Sequence, residues 1–366
     1  MAATTDSASR AGEPRCANEF SRAGEINRAN ELSRAENPSV VFTARDRVEV
    51  QHQPVTLPGP GEVLVRTRRS LISTGTELTL LHGTGQGEAW SGLTHYPRTS
   101  GYSNVGDVVA VGDGVDPAWL GQRVHNHGPH QAYACSPADR IAALPPEVAD
   151  ESATFTTLAK VAMNGLRRAG LTWGESVVVV GLGLVGQLAC QLCRVAGAQL
   201  VVAVDPSDFR RGCLPAERYL VPWSGSLEAL ATHLPELNHG RLADLVIEAT
   251  GDSAVLPQEP ALLRPHGRLL ILSSPRGASR FDFHDLCNRR SLTLLGAHGF
   301  SHPPVETPDS PWTSRRHGEI FLDLIAGGQV NTKPLISHRF PAQEAPEAYR
   351  LLGEHRGEAL GVVLEW

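Results

Sequence analysis

The stretch SVVVVGLGLVGQLACQLCRVAGAQLVVAVD, Ser176 to Asp205, decides the fold. Its opening SVVVV is apolar without alternation, as a strand buried on both faces requires. GLGLVG, Gly181 to Gly186, follows at once and leads into a helical QLACQLCRVAGA; Leu200 to Val204 is then a second apolar strand. A lone GxGxxG is weak evidence, but here it has the strand–turn–helix context that a dinucleotide-binding turn needs. Gly181 permits the tight turn, Gly183 lets backbone approach a pyrophosphate, and Gly186 lets helix and strand pack closely. Leu184 and Val185 present backbone N–H groups at a helix N-terminus, where the dipole favours phosphate. Asp205, about 20 residues past the motif, is placed to accept hydrogen bonds from the adenosine ribose hydroxyls. A carboxylate there repels a 2′-phosphate, so NAD is favoured over NADP. Arg210 and Arg211 temper this, since either can pair with a phosphate.

Outward from this core, helices and strands alternate. Ser152 to Ala169 reads as a helix, and Asp244 to Glu248, Arg268 to Leu272 and Ser291 to Leu295 as further strands. Such alternation means a parallel, doubly wound sheet. Thr313 to Gly327 is a helix with an apolar face, and Leu360 to Trp366 a closing strand expected to return to the first domain. Before residue 150 the texture is β-like and punctuated by Pro and Gly, with strands at Ser39–Thr43, Arg47–Gln51, Glu62–Arg66, Val105–Val111 and Gln122–Val124. The first 37 residues differ again: SRAGEPRCANEF (Ser9–Phe20) and SRAGEINRANEL (Ser21–Leu32) form a tandem repeat too polar for a core, which reads as a disordered tail.

The composition is that of an ordinary globular protein, with 41% hydrophobic and 20% charged residues. A net charge of −6 does not suggest nucleic-acid binding. No signal peptide or apolar run of membrane-spanning length is visible, so a cytoplasmic protein without membrane attachment is expected. The six cysteines form neither a disulfide framework nor a Cys-rich zinc pattern. Lys160 and Lys333 are the only lysines.

A β-rich unit, a Rossmann domain and a C-terminal return resemble the medium-chain dehydrogenase/reductase superfamily, over about residues 38–366. LISTGTELTLLHG (Leu71–Gly83) looks like its first zinc-ligand segment, SGYSNVGDVVAVG (Ser100–Gly112) like its glycine–histidine–glutamate segment, and LGQRV (Leu120–Val124) like its GDRV strand. More narrowly, ISTGTE and the terminal LGVVLEW look like the branch of bacteriochlorophyllide and sugar-like alcohol dehydrogenases. The resemblance implies an α/β chain with a GroES-like β-rich catalytic domain (38–160, completed by 298–366) and a Rossmann domain (161–297). It also implies a homodimer.

The departures bear on metal chemistry. Where the resemblance places zinc ligands, this chain has Thr74, Tyr102, Ser103 and Thr156, and a zinc site needs thiolate, imidazole or carboxylate. His125, His127 and His130 lack a nearby Cys or carboxylate to complete a set, so no metal is expected. Some other donor must then stabilise charge at the reacting oxygen. Thr76 falls where the resemblance implies the first hydroxyl of a proton relay. Tyr102 occupies a former ligand position, Lys160 is counted to lie near the nicotinamide, and Glu77 could pair with a cation or bind substrate hydroxyls. Each has a structural alternative: a turn cap for Thr76, packing for Tyr102, an exposed helix position for Lys160, and satisfaction of backbone N–H groups for Glu77. His82, Trp90, Tyr96, Asn104, His127 and His130 are expected to line a polar, partly aromatic pocket, suited to a small polyhydroxylated molecule such as a sugar or cyclitol.

The leading expectation is an NAD-dependent secondary alcohol dehydrogenase or ketone reductase. The alternatives are a zinc-free quinone or enoyl reductase, an enzyme holding NAD for net epimerisation or elimination, and a non-enzymatic NAD(H)-sensing partner.

Overall fold

The computed structural model describes residues 32, 34–85, 90, 92–93 and 95–366, apart from the Phe300 side chain. The repeat-bearing tail therefore lies almost wholly outside the described residues. Its expected end at residue 37 needs correction. Strand β1 (Glu36–Ala44) already includes Asn37, whose side chain exchanges two hydrogen bonds with the backbone of Tyr133.

The N-terminal strands are β1, β2 (Arg47–Pro54), β3 (Glu62–Leu71), β4 (Arg98–Thr99), β5 (Asn104–Val111), β6 (Arg123–Asn126), β7 (Tyr133–Pro137) and β8 (Ala142–Ala143). The second series is β9 (Ser176–Val180), β10 (Leu200–Val204), β11 (Leu220–Trp223), β12 (Ala243–Glu248), β13 (Leu263–Ile271) and β14 (Thr293–Gly296). β15 (Ile336–Pro341) and β16 (Gly361–Glu365) close the chain.

β9 to β14 form one sheet in the order β11-β10-β9-β12-β13-β14, every neighbouring pair parallel. The order reverses at β9, so the sheet is doubly wound and its switch point lies at the carboxyl end of β9. Val177 and Val179 pack into one hydrophobic cluster and Val178 and Val180 into another, which explains the unbroken valine run. β3, β5, β6 and β8 join β15 and β16 in a second, mixed sheet, with β7 on β3. β16 pairs antiparallel with β3, setting Val363 opposite Leu71, so the chain does return to its first half.

Three expectations shift. The helix expected over Ser152–Ala169 is two, Asp150–Ala153 and Thr156–Arg168, and a domain boundary at residue 160 would cut the second. β4, β7, β8, β11 and β15 went unread. β13 begins five residues earlier than the expected Arg268.

Candidate active site

The glycine turn is held by sterics. Gly181 has φ +96°, a conformation that L side chains avoid, and a Cβ there would meet the backbone of Ala249 and Thr250 at 2.9 Å. A Cβ on Gly186 would lie 1.9 Å from the Gly181 carbonyl, so helix Leu184–Val195 can approach β9 only with glycine at that position. At Gly183 an added Cβ meets nothing within 4 Å, so the turn opens there onto free space. Leu184 and Val185 form the first turn of that helix.

Asp205 follows β10 and is 4% exposed. One carboxylate oxygen accepts from Leu182 N (2.9 Å) and the other from Ser207 N (2.9 Å), so Asp205 braces the turn itself. Arg210 Nη1 lies 3.6 Å from the first of these oxygens. The carboxylate, the free face of Gly183 and the helix N-terminus make a donor and acceptor set that fits a dinucleotide.

About 20 residues before the turn, Lys160 emerges from helix Thr156–Arg168 with 6% exposure. Its Nζ lies 2.7 Å from His127 Nε2, and among the described residues it has no carboxylate partner. Burial pushes its ammonium down to about 8. Burial, together with the Lys160 and Arg140 charges, pushes His127 down to about 3, so its ring is neutral. A ring N–H given to the Tyr102 carbonyl leaves Nε2 to accept from Lys160. The Tyr102 hydroxyl donates to Ser73 Oγ and also bonds Thr76; burial and the Glu77 charge push its phenol up to about 12. His125 Nε2 and Thr157 Oγ1 are 3.0 Å apart behind this group, and the His125 and His127 rings meet edge to face at 5.4 Å.

Tyr102 thus links two groups: its hydroxyl bonds Ser73 and Thr76, and its carbonyl takes the ring N–H of His127, the partner of Lys160. The other expected residues lie outside this link. Glu77 is a correction: its carboxylate accepts from Ser73 N (2.7 Å), from His130 Nε2 (3.1 Å) and from the Tyr349 hydroxyl. Burial alone would raise it, but these partners outweigh burial and hold it below the usual carboxylate range. His130 is consumed in the same network, with Ser70 Oγ on its other nitrogen (2.9 Å). Tyr96 spends its hydroxyl on the carbonyls of Leu80 and Leu81, and with Trp90 packs against the cluster of Phe42 and Tyr349. Asn104 is buried and donates to the Pro129 carbonyl. His82 faces Asp46 and a separate cavity beside Arg276 and Arg356. Ser73, the Tyr102 partner, carried no sequence signal beyond standing next to Thr74.

The donors where the resemblance places zinc ligands do not fit that ion. Ser103 donates to the Thr154 carbonyl, Thr156 to the Ala153 carbonyl, and Thr74 Oγ1 is buried without a partner. Among the described residues no group of three or more His, Cys, Asp or Glu is arranged to hold a metal, and no helix is long and apolar enough to cross a membrane.

Comparison with known proteins supplies the wider frame. Residues 185–313 match the zinc-binding dehydrogenase family model, a span that excludes Thr74, Tyr102, Ser103 and Thr156. Sorbitol dehydrogenase 1 of Saccharomyces cerevisiae is 24% identical over 90% of this chain and 98% of its own length. An alcohol dehydrogenase from Escherichia coli CFT073 complexed with NADH superposes with TM-score 0.75, at 19% identity, over 90% of this chain and 99% of that one. A zinc-binding dehydrogenase from Sinorhizobium meliloti 1021 bound to NADP superposes with TM-score 0.74, at 22% identity, over 91% and 100%. The sequence of residues 185–313 is thus similar to the zinc-binding dehydrogenase family, and nine-tenths of the chain shares the fold of these solved structures.

Proposed function

We propose that the protein is an NAD-dependent oxidoreductase that interconverts a secondary alcohol and a ketone on a polar, sugar- or cyclitol-like small molecule, without a catalytic metal. One observation carries the reading: a nearly buried lysine, aimed by a neutral histidine, sits where the ligand positions hold only hydroxyls. The polyol class of substrate is supported by the likeness to sorbitol dehydrogenase. The domain division into a β-rich catalytic part and a Rossmann part belongs to the same proposal.

A bound nicotinamide would supply hydride acceptance and return. The chain's own residues handle the proton. With the amine neutral, Lys160 Nζ accepts the substrate hydroxyl proton; as the ammonium, it donates to the ketone oxygen. An acid–base group works best with its pKa near the working pH, and burial brings Lys160 to about 8. His127 Nε2 holds one Nζ hydrogen and so fixes where the others point. Tyr102 and Thr76, whose hydroxyls bond one another, are the donors proposed for a developing alkoxide.

Turnover of polyols with NAD, measured for Lys160→Met against the unaltered protein, tests this. The variant is expected to lose turnover and the pH limb near 8 while keeping cofactor affinity. In the unaltered protein, oxidation should rise with pH through that limb and reduction should fall. Full turnover by Lys160→Met, or one zinc per chain whose removal abolishes turnover, would sink the proposal.

A further inference from the structure

The helix that carries Lys160 turns a polar stripe toward the C-terminal part of the chain. Thr156, Lys160, Asn164 and Arg167 follow at helical spacing in Thr156–Arg168, so they share a face. Against this face lie residues 297–313, the connection from β14 to helix Ser314–Ala326, and the first turns of that helix. The connection is longer than most, and Pro303, Pro304, Pro308 and Pro311 stiffen it.

This strap is tied to the stripe at both ends. Near its start, a Cβ built on Gly299 would lie 3.8 Å from Val161 Cγ2, so the strap touches the residue next to Lys160. Asn164 Nδ2 donates to Ser301 Oγ (2.7 Å) and to the His298 carbonyl (3.3 Å). At the other end the Arg167 guanidinium lies over Trp312, 3.1 Å from the ring centre, and Arg167 Nε donates to His317 Nε2 (2.9 Å). Arginine can only donate, so the His317 proton sits on Nδ1 and is given to His302 Nε2 (3.0 Å). The His302 proton is then on Nδ1, facing the Gly299 carbonyl (2.8 Å). One order of protons thus runs from Arg167 through both rings to the start of the strap. A further proton on either ring would set two N–H groups against each other. In keeping with this, burial foremost and nearby charges push His317 down to about 3, and burial lowers His302.

Lys160 lies beneath these contacts. A Cβ on Gly318, in helix Ser314–Ala326, would lie 3.6 Å from Lys160 Cδ, so backbone packs on the lysine stem. Four imidazoles face the amine: His125 and His127 from β6 and the residue after it, His302 from the strap, and His317 from helix Ser314–Ala326. Each is lowered in part by the Lys160 charge. Glu306 of the strap pairs with Arg316 (2.8 Å), and among the described residues no carboxylate pairs with Lys160.

We propose that Asn164 and Arg167 are positioning residues: through Ser301, Trp312 and the His302–His317 pair they pin residues 297–313 over the Lys160 amine and keep water from it. The inference rests on the proposed acid–base role of Lys160. Released from the strap, the amine would be solvated and would return from about 8 toward the 10.5 of an ordinary lysine.

The chain has two lysines, Lys160 and Lys333, so lysine isotope-labelled at Cε gives two resonances, which Lys160→Met assigns. Their pH titration by NMR is compared in the unaltered full chain, Arg167→Met, Asn164→Ala and Ser301→Ala. Lys160 is expected to titrate near 8 in the unaltered protein. In Arg167→Met and Asn164→Ala it should titrate about one pH unit higher or more, a tenfold gain in proton affinity. Asn164→Ala removes no charge, so the same displacement there separates entry of water from loss of the Arg167 cation. Ser301→Ala breaks the same link from the strap side with less risk to folding, and should move Lys160 in the same direction. The pH limb of polyol turnover with NAD should follow the resonance in each variant. Variants that lose stability while Lys160 still titrates near 8 would make the strap a structural brace alone and overturn the proposal. A Lys160 resonance titrating near 10.5 in the unaltered protein would overturn the acid–base reading beneath it as well.

Discussion

Lys160→Met is expected to make the protein more stable at neutral pH as it removes activity. Lys160 titrates near 10.5 when solvated and near 8 in the folded chain, because burial penalises its ammonium. The difference is about 2.5 units, and one unit corresponds to about 1.36 kcal/mol. The folded state therefore carries a charging penalty of about 3 kcal/mol at pH 7. Below pH 8 both states are protonated and the penalty is complete. Between 8 and 10.5 the unfolded chain holds the proton and the folded chain does not, so stability rises with pH and the penalty vanishes. Met fills similar volume without charge but orphans His127 Nε2, which costs about 1–2 kcal/mol. The net expectation at pH 7 is a gain of about 1–2 kcal/mol, shrinking and then reversing toward pH 10.5. Urea denaturation of both proteins across pH 7–10.5 measures this, since groups away from Lys160 cancel in the difference and the adjoining His127 ring is already neutral in the unaltered protein. A variant less stable at pH 7, with a deficit that stays constant up to pH 10.5, would refute the claim that Lys160 is charged at a cost.

Glu259 offers the mirror case. It is 0% exposed, neither carboxylate oxygen has a partner, and burial with the Glu248 charge raises it to about 9. The folded state keeps a proton that the unfolded state loses above about 4.5, so stability should fall from pH 4.5 to 9; Glu259→Gln should gain about 3 kcal/mol at pH 7, and pH–stability curves parallel to the unaltered protein's would contradict this. Tyr102→Phe keeps the ring and removes the hydroxyl bonded to Ser73 and Thr76, so turnover should drop about 10²–10³-fold at unchanged cofactor affinity; near-normal turnover would remove Tyr102 from the site. Asp205→Ala should weaken NAD by about 1–3 kcal/mol, leave NADP less affected, and lower stability because Leu182 N and Ser207 N lose their acceptors; equal affinities for both cofactors in the unaltered protein would contradict the NAD preference. Deleting residues 1–31 should leave NAD affinity unchanged, whereas a deletion through Asn37 should cost about 1–3 kcal/mol by removing its two bonds to Tyr133, as a denaturation midpoint would show.

What could be read in the sequence was whatever sterics write locally. Gly181 and Gly186 admit no Cβ, and the valines of β9 face two cores, so motif and strand are forced by neighbours within a few residues or one strand away. β11 was hidden because LVPW is short and contains a proline, which an edge strand tolerates and which sequence patterning counts against a strand. Lys160 stood out because the chain has one other lysine, but its burial depends on packing that no local pattern records.

Glu77 was expected to pair with a cation or bind substrate hydroxyls, and His130 to line a pocket; partners distant in sequence occupy both. Glu77 is satisfied by Tyr349, 272 residues away, and His130 by Ser70, 60 residues away. A buried carboxylate that gathers three donors has little capacity left for a ligand, and nothing in ISTGTE reveals whether those donors exist. Arg276 and Arg356 went unread altogether. Each looks like an ordinary loop arginine until the fold sets it beside Arg210. The rule that ligands lie at the carboxyl ends of parallel strands could have flagged Arg276, which follows β13. Arg356 follows no strand of that sheet and meets Arg210 only through the C-terminal return, so its place becomes readable once β16 is paired to β3.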